Sequence, residues 1–216
     1  MKREGHIIEE IIERSNLEDS FDTVVRGTLR KKLREGKWLI AHRASFLDSL
    51  AKEIENGYVS LRPWHDKHIV EAGKERDIQV FCMADRIKIN AVMSVIDKHL
   101  HRRYIRTTGA SIKRRGMHDL MQYIRRDLKE YPTIRFWYKS DVHKCYDTVV
   151  HHFVKFCLLR VFKDKRLLNI LFSFIDIMPG DTKMSMGMRS SQGLVNHLFS
   201  VFIDHVLKLS LIHISE

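Results

Sequence analysis

Cysteine is scarce in this chain of 216 residues, and Cys82, Cys145 and Cys157 stand too far apart to form a C-x-x-C pair. That spacing speaks against a zinc ribbon and a disulfide framework, and fits a reducing, cytoplasmic compartment. Thirteen histidines are present, but none falls in an H-E-x-x-H pattern, so they read as ordinary side chains. Long apolar runs are missing too. The longest, LLNILFSFIDIM, is interrupted by Asp176, and the opening MKREGHIIEEII carries acids inside its apolar stretch. Neither a membrane span nor a signal peptide is expected. Internal repeats and low-complexity tracts are absent.

Acidic residues are outnumbered: 27 Asp and Glu against 38 Lys and Arg leave a formal net charge of +11. Such a field draws polyanions, nucleic acid first, although a merely soluble basic protein shares the composition. The excess is concentrated in residues 98–118, which hold seven Lys or Arg and no acid. That patch is suited to phosphates.

A chain of this length forms one large domain or two lobes. Apolar positions three or four apart predict helices over IIEEIIERS, SFDTVVRGTLRKKL and RASFLDSLAKEIENG, the third stopped at Gly57. Alternation in HDKHIV and RDIQVFC around EAGKE predicts two strands joined by a glycine turn. Asp85 then stands where an N-cap belongs, before the helical period of RIKINAVMSVIDKHLHRRY. Further helices are expected over MHDLMQYIRRDLKEY, over the stretch after a capping Asp147, over KDKRLLNILFSFID and over QGLVNHLFSVFIDHVLK, the last opened by Ser190 and Ser191. IRFWYKSDV, rich in β-branched and aromatic residues, reads as a strand. The fold class expected is α+β.

Within YKSDVHKCYD, Asp141 falls near the end of that strand. A carboxylate on a rigid element beside a basic lobe is what a Mg2+ site for nucleotide chemistry needs, since Mg2+ prefers hard oxygen ligands and keeps substrate phosphates in its shell. An Asp after a strand is also an ordinary turn former or helix cap.

The order of the surrounding blocks resembles a reverse transcriptase, nearest the prokaryotic and phage-borne kind that includes those of diversity-generating elements. KERDIQVFCMADRIKINAV is similar to the family's fingers block, which implies that Arg76 touches the incoming triphosphate, with Arg86 in the block's second position. GASIKRRGMHDLMQYIRRDL resembles the segment bordering template or primer, placing Lys113, Arg114 and Arg115 on backbone phosphate. YKSDVHKCYDTV resembles the first palm block, which implies Asp141 as catalytic metal ligand and Tyr146 as the gate under the sugar. MSMGMRSSQGLVNHLFSVFIDHVLK resembles the next palm block, with Gly187, Ser191, Gln192 and Asn196 at nucleotide and nascent pair.

The resemblance implies helical fingers with a β-hairpin over residues 1–132 and the first part of a palm over 133–208. It implies Mg2+, with Mn2+ as an alternative, an RNA template, a DNA primer and deoxynucleoside triphosphates. The family's second metal block, aromatic-x-Asp-Asp, does not follow. The terminal LSLIHISE has no counterpart in the family, so residues 209–216 read as a non-native tail on a truncated, inactive polymerase fragment. A non-catalytic RNA-binding module that keeps the fold is the alternative. Mobile-element, retron and diversity-generating settings all remain open.

Overall fold

The computed structural model describes residues 3–71, 73–133, 135 and 140–207. In chain order the elements are α1 (Ile7–Ile12), α2 (Arg14–Arg26), a 3-10 turn (Leu29–Lys32), α3 (Arg34–Ala41), α4 (Arg43–Glu55), β1 (His65–Glu71), β2 (Lys74–Val80) and α5 (Met83–His101). They continue with α6 (Met117–Glu130), α7 (Cys145–Thr148), α8 (His151–Val161), α9 (Lys165–Ile175), α10 (Arg189–Phe199) and a π-helical turn (Ser200–Asp204). Among the described residues this is an α+β arrangement of helices and one antiparallel hairpin.

α5 is the axis. Thirteen of its 19 residues are buried, because its sequence is apolar on nearly every side. α1, α2 and α10 pack against it, α4 packs against α1, and α9 joins α4 to α8. One apolar cluster therefore runs from Ile7 to Val195. α1, only six residues long, could not persist alone. Ile7, Ile8 and Ile11 are each at most 1% exposed, and burying such a side chain contributes about 1.5–3 kcal/mol. Just before α1, the Glu4 amide donates to the Val161 carbonyl at 2.7 Å while its carboxylate meets His99 and Arg103, tying the end of α8 to α5.

The hairpin forms with a tighter turn than EAGKE implies. Glu71 pairs with Lys74, two positions lie between the strands, and Gly73 supplies the left-handed φ of 75°. The second expected helix is broken up: α2 starts earlier and stops at Gly27, and the chain passes through the 3-10 turn into α3, which periodicity did not reveal. A Cβ on Gly36 would lie 2.5 Å from Lys31 Cα, so turn and helix are packed backbone to backbone.

Three expected caps are corrected. α5 is capped by Cys82, whose sulfur accepts from the Asp85 amide at 3.4 Å; Asp85 lies within the first turn and accepts from the Arg62 amide at 2.9 Å. Glu35 of α3 adds a cap from outside, accepting from the amides of Met83 (3.2 Å) and Ala84 (3.4 Å). Asp147 lies inside α7, and α8 begins instead after Val150. Met188 takes the N-cap position of α10, while Ser190 and Ser191 are buried in its first turn with hydroxyls lacking a partner among the described residues. The expected strand falls at 134 and 136–139 outside the described residues; the described Arg135, Ser140, Asp141 and Val142 belong to no strand.

Candidate functional site

Tyr146 and the block around Gln192 are brought together by a run of backbone pairing. The amides of Lys183 and Met184 donate to the carbonyls of Val149 (3.1 Å) and Tyr146 (2.7 Å), and the His151 amide donates to Asp181 at 2.9 Å. The buried His151 ring adds a bond from Nε2 to the Lys183 carbonyl at 2.8 Å. Beyond this pairing the chain crosses to the hairpin, where Gln79 Oε1 accepts from the Ser185 hydroxyl (3.2 Å) and the Met186 amide (3.1 Å). Gly187 then passes so close to β2 that a Cβ would lie 1.7 Å from the Gln79 carbonyl oxygen. Only a residue without a side chain fits that crossing.

α10 starts at once and is clamped onto α5. Arg189 Nη1 pairs with Asp97 Oδ2 at 2.9 Å, and the Tyr104 hydroxyl donates to the Gly193 carbonyl at 3.0 Å. Between α7, α5 and α10 lies a cleft of about 260 Å³, lined by Tyr146, Gln192 and Asn196 together with Asp97, His101 and Arg189. A second cavity of about 370 Å³ shares the wall of Met186, Met188 and Arg189; Gly187, Arg86 and Asn90 line its other parts.

The cleft is polar and its lining partly buried. Burial holds the His101 imidazole below its ordinary value; Asp97 opposes this, and Arg115 and Arg189 add to the lowering. Burial likewise raises the Tyr146 phenol, with Cys145 contributing. At neutral pH the cleft therefore presents a neutral phenol and neutral imidazole, amide groups that can donate or accept, and the Arg189–Asp97 ion pair. That set can hold a planar, hydrogen-bonding ligand.

The other residues singled out from sequence are placed as follows. Asp141 is exposed and makes no hydrogen bond or ion pair among the described residues. Its charge reaches Cys145, whose thiol is raised first by burial and then by Asp141. Among the described residues no group of three or more His, Cys, Asp or Glu comes together. Arg76 stands on the outer part of the hairpin, paired to Glu71 at 2.6 Å and absent from the cleft lining. Ser191 is buried, 1% exposed, and does not line the cleft. Asn196 donates to the Ala110 carbonyl at 2.8 Å and so anchors the basic loop to α10. In that loop Lys113 and Arg114 are exposed, while Arg115 is half-buried with a bond to the Ile105 carbonyl at 3.4 Å.

Sequence reading missed Asp97, His101, Arg189 and Gln79. The i, i+4 spacing of Asp97 and His101 on one helix face and the lone cation between Gly187 and Ser191 were the available signals. No helix among the described residues is long and apolar enough to cross a membrane. Comparison with models of protein families and with curated proteins finds no match to the chain.

Proposed function

We propose that the chain is the nucleotide-binding part of an RNA-directed DNA polymerase, with the Tyr146–Gln192–Asn196 cleft receiving a deoxynucleoside triphosphate. The observation that carries this reading is convergence: two blocks far apart in sequence, each resembling a palm block, line one cleft. In this reading the half-buried Tyr146 ring sits beneath the sugar, where a ribose 2′-hydroxyl would clash with it. The Gln192 amide hydrogen-bonds the sugar or base, and Arg189, partly exposed beside its partner Asp97, turns its remaining N–H groups to phosphate oxygen. Gly187 allows the loop to pass beneath the hairpin, so the ligand is held between two rigid elements.

Asp141 supplies one hard oxygen ligand, which does not make up a two-ion Mg2+ or Mn2+ centre, so no step of phosphoryl transfer is drawn through a metal. A non-catalytic RNA-binding module is the second reading, favoured by the exposed Lys113 and Arg114, which have no ion pair among the described residues.

Displacement of a fluorescent deoxynucleotide separates the two. Wild-type chain is expected to bind it, and Tyr146→Ala and Gln192→Ala are expected to weaken binding without a change in melting. A chain that binds RNA but no deoxynucleotide, or variants that bind as the wild type does, would overturn the polymerase reading.

A further inference from the structure

Residues 26–43 hold seven Lys or Arg and a single acid, Glu35. Arg26 and Arg43 pair with Asp22, and Glu35 is engaged by Arg62 and the α5 amides. Arg30, Lys31, Lys32, Arg34 and Lys37 have no ion pair among the described residues. They stand on the 3-10 turn and α3, the pair locked together at Gly36. The same rigid platform carries Trp38, which is 53% exposed and stacked on His42 with centroids 4.6 Å apart and planes 18° from parallel.

This surface leads into the cavity of about 370 Å³. Arg30 donates to the Phe81 carbonyl at 3.1 Å, and the Arg86 guanidinium, lowered first by burial, is lowered further by the Arg30 charge. Two cations thus stand close together with no carboxylate paired to either among the described residues. Asn90 lines the same cavity, is 8% exposed, and its side-chain amide makes no hydrogen bond among the described residues. The Asn90 amide is thus open to the cavity, and beside two guanidinium groups without a carboxylate partner it completes a donor set suited to a ligand rich in anionic acceptors.

We propose that the 3-10 turn, α3 and the Arg86–Asn90 cavity form a path for single-stranded nucleic acid, with phosphates on Lys31, Lys32, Lys37 and Arg86 and a base on Trp38. A flexible strand offers phosphates and stacking faces together and can bend into a recess. A bilayer can meet exposed Leu29 and Leu33, but it cannot follow the chain of cations into the cavity. A duplex is too wide to enter it, and its bases are not free to stack on Trp38. This path is separate from the Tyr146 cleft and from Lys113, Arg114 and Arg115, and it does not depend on the polymerase reading.

The test is fluorescence anisotropy on the whole chain with a short labelled oligothymidylate, its uridine counterpart and a duplex of the same length, beside sedimentation with phosphatidylserine vesicles. K31Q/K32Q/K37Q is expected to flatten the log–log salt dependence for single strands by about two units. Trp38→Ala is expected to weaken single-strand binding at least about fivefold and duplex binding less. Where Trp38→Ala lowers the melting temperature, the lysine triple decides, since none of its side chains has a partner to lose. Single-strand binding unchanged in the triple, or vesicle binding by wild type that the triple abolishes while oligonucleotides bind as before, would overturn it. A chain that binds deoxynucleotide at Tyr146 but no single strand sinks this path alone.

Discussion

Gly187→Ala is the sharpest perturbation available, because the atom it adds has nowhere to go. The new Cβ would lie 1.7 Å from the Gln79 carbonyl oxygen, 2.6 Å from its carbon and 3.0 Å from its nitrogen. Carbon contacts settle at about 3.5 Å, so the loop and β2 must separate by well over 1 Å. Backbone on both sides prevents any rotamer change from relieving the clash. Overpacking of this kind costs about 1–3 kcal/mol. Separation also stretches the bonds from Ser185 and Met186 to Gln79, each with a net value of about 1 kcal/mol. With both bonds lost a total of about 3–5 kcal/mol follows, or a melting temperature lower by roughly 6–20 °C for a chain of this size. Urea denaturation reads the first number and calorimetry the second. Gly193→Ala is the internal control. Its Cβ would meet the Asp97 Oδ1 at 2.7 Å, a side-chain atom that can shift at the expense only of its partly exposed pair with Arg189, so its effect should stay below about 1.5 kcal/mol. A Gly187→Ala effect under about 0.5 kcal/mol, or one smaller than that of Gly193→Ala, would refute the claimed crossing.

Three further outcomes are expected. Glu35→Gln should destabilise the fold by about 1 kcal/mol at neutral pH and reduce its sensitivity to acid. Burial alone would raise the Glu35 carboxyl, but the Met83 and Ala84 amides and Arg62 bring it below its ordinary value of 4.5; its contribution is therefore present above that value and lost as pH falls through the lowered one. Equal acid midpoints for the two proteins in a pH series of urea titrations would contradict this. Replacing Lys113, Arg114 and Arg115 with Gln should weaken nucleic-acid binding alike for unrelated sequences and flatten the salt slope by up to about three units. Weakening confined to one sequence would mean that the patch reads bases. Asp141→Asn should leave urea stability within about 0.5 kcal/mol, since the carboxylate is exposed and makes no hydrogen bond or ion pair among the described residues. It should also remove primer extension from any form of the protein that shows it; unfolding or undiminished extension would take Asp141 out of the site.

What the sequence determined by itself is local. The apolar period marks α4, α5, α8, α9 and α10, because burial on one face or all round imposes a pattern that survives without knowledge of the partner. Gly57 and Gly73 were legible as turns for the same reason: their positive φ is a property of a few adjacent residues. Tyr146, Gln192 and Asn196 could be singled out from their blocks, yet only the pairing of 181–184 with 146–151 brings them to one cleft. Which cations are neutralised was not readable either. Arg76 is taken by Glu71 and Arg106 by Asp119, whereas the five from Arg30 to Lys37 have no ion pair among the described residues. The cap that Glu35 places on α5 and the hold of Asp97 on Arg189 are of the same kind. Charge, capping and close approach depend on which side chain lies across the fold within a few ångströms. The tertiary packing of α3, α5, α10 and the hairpin sets that distance, and no window of sequence contains it.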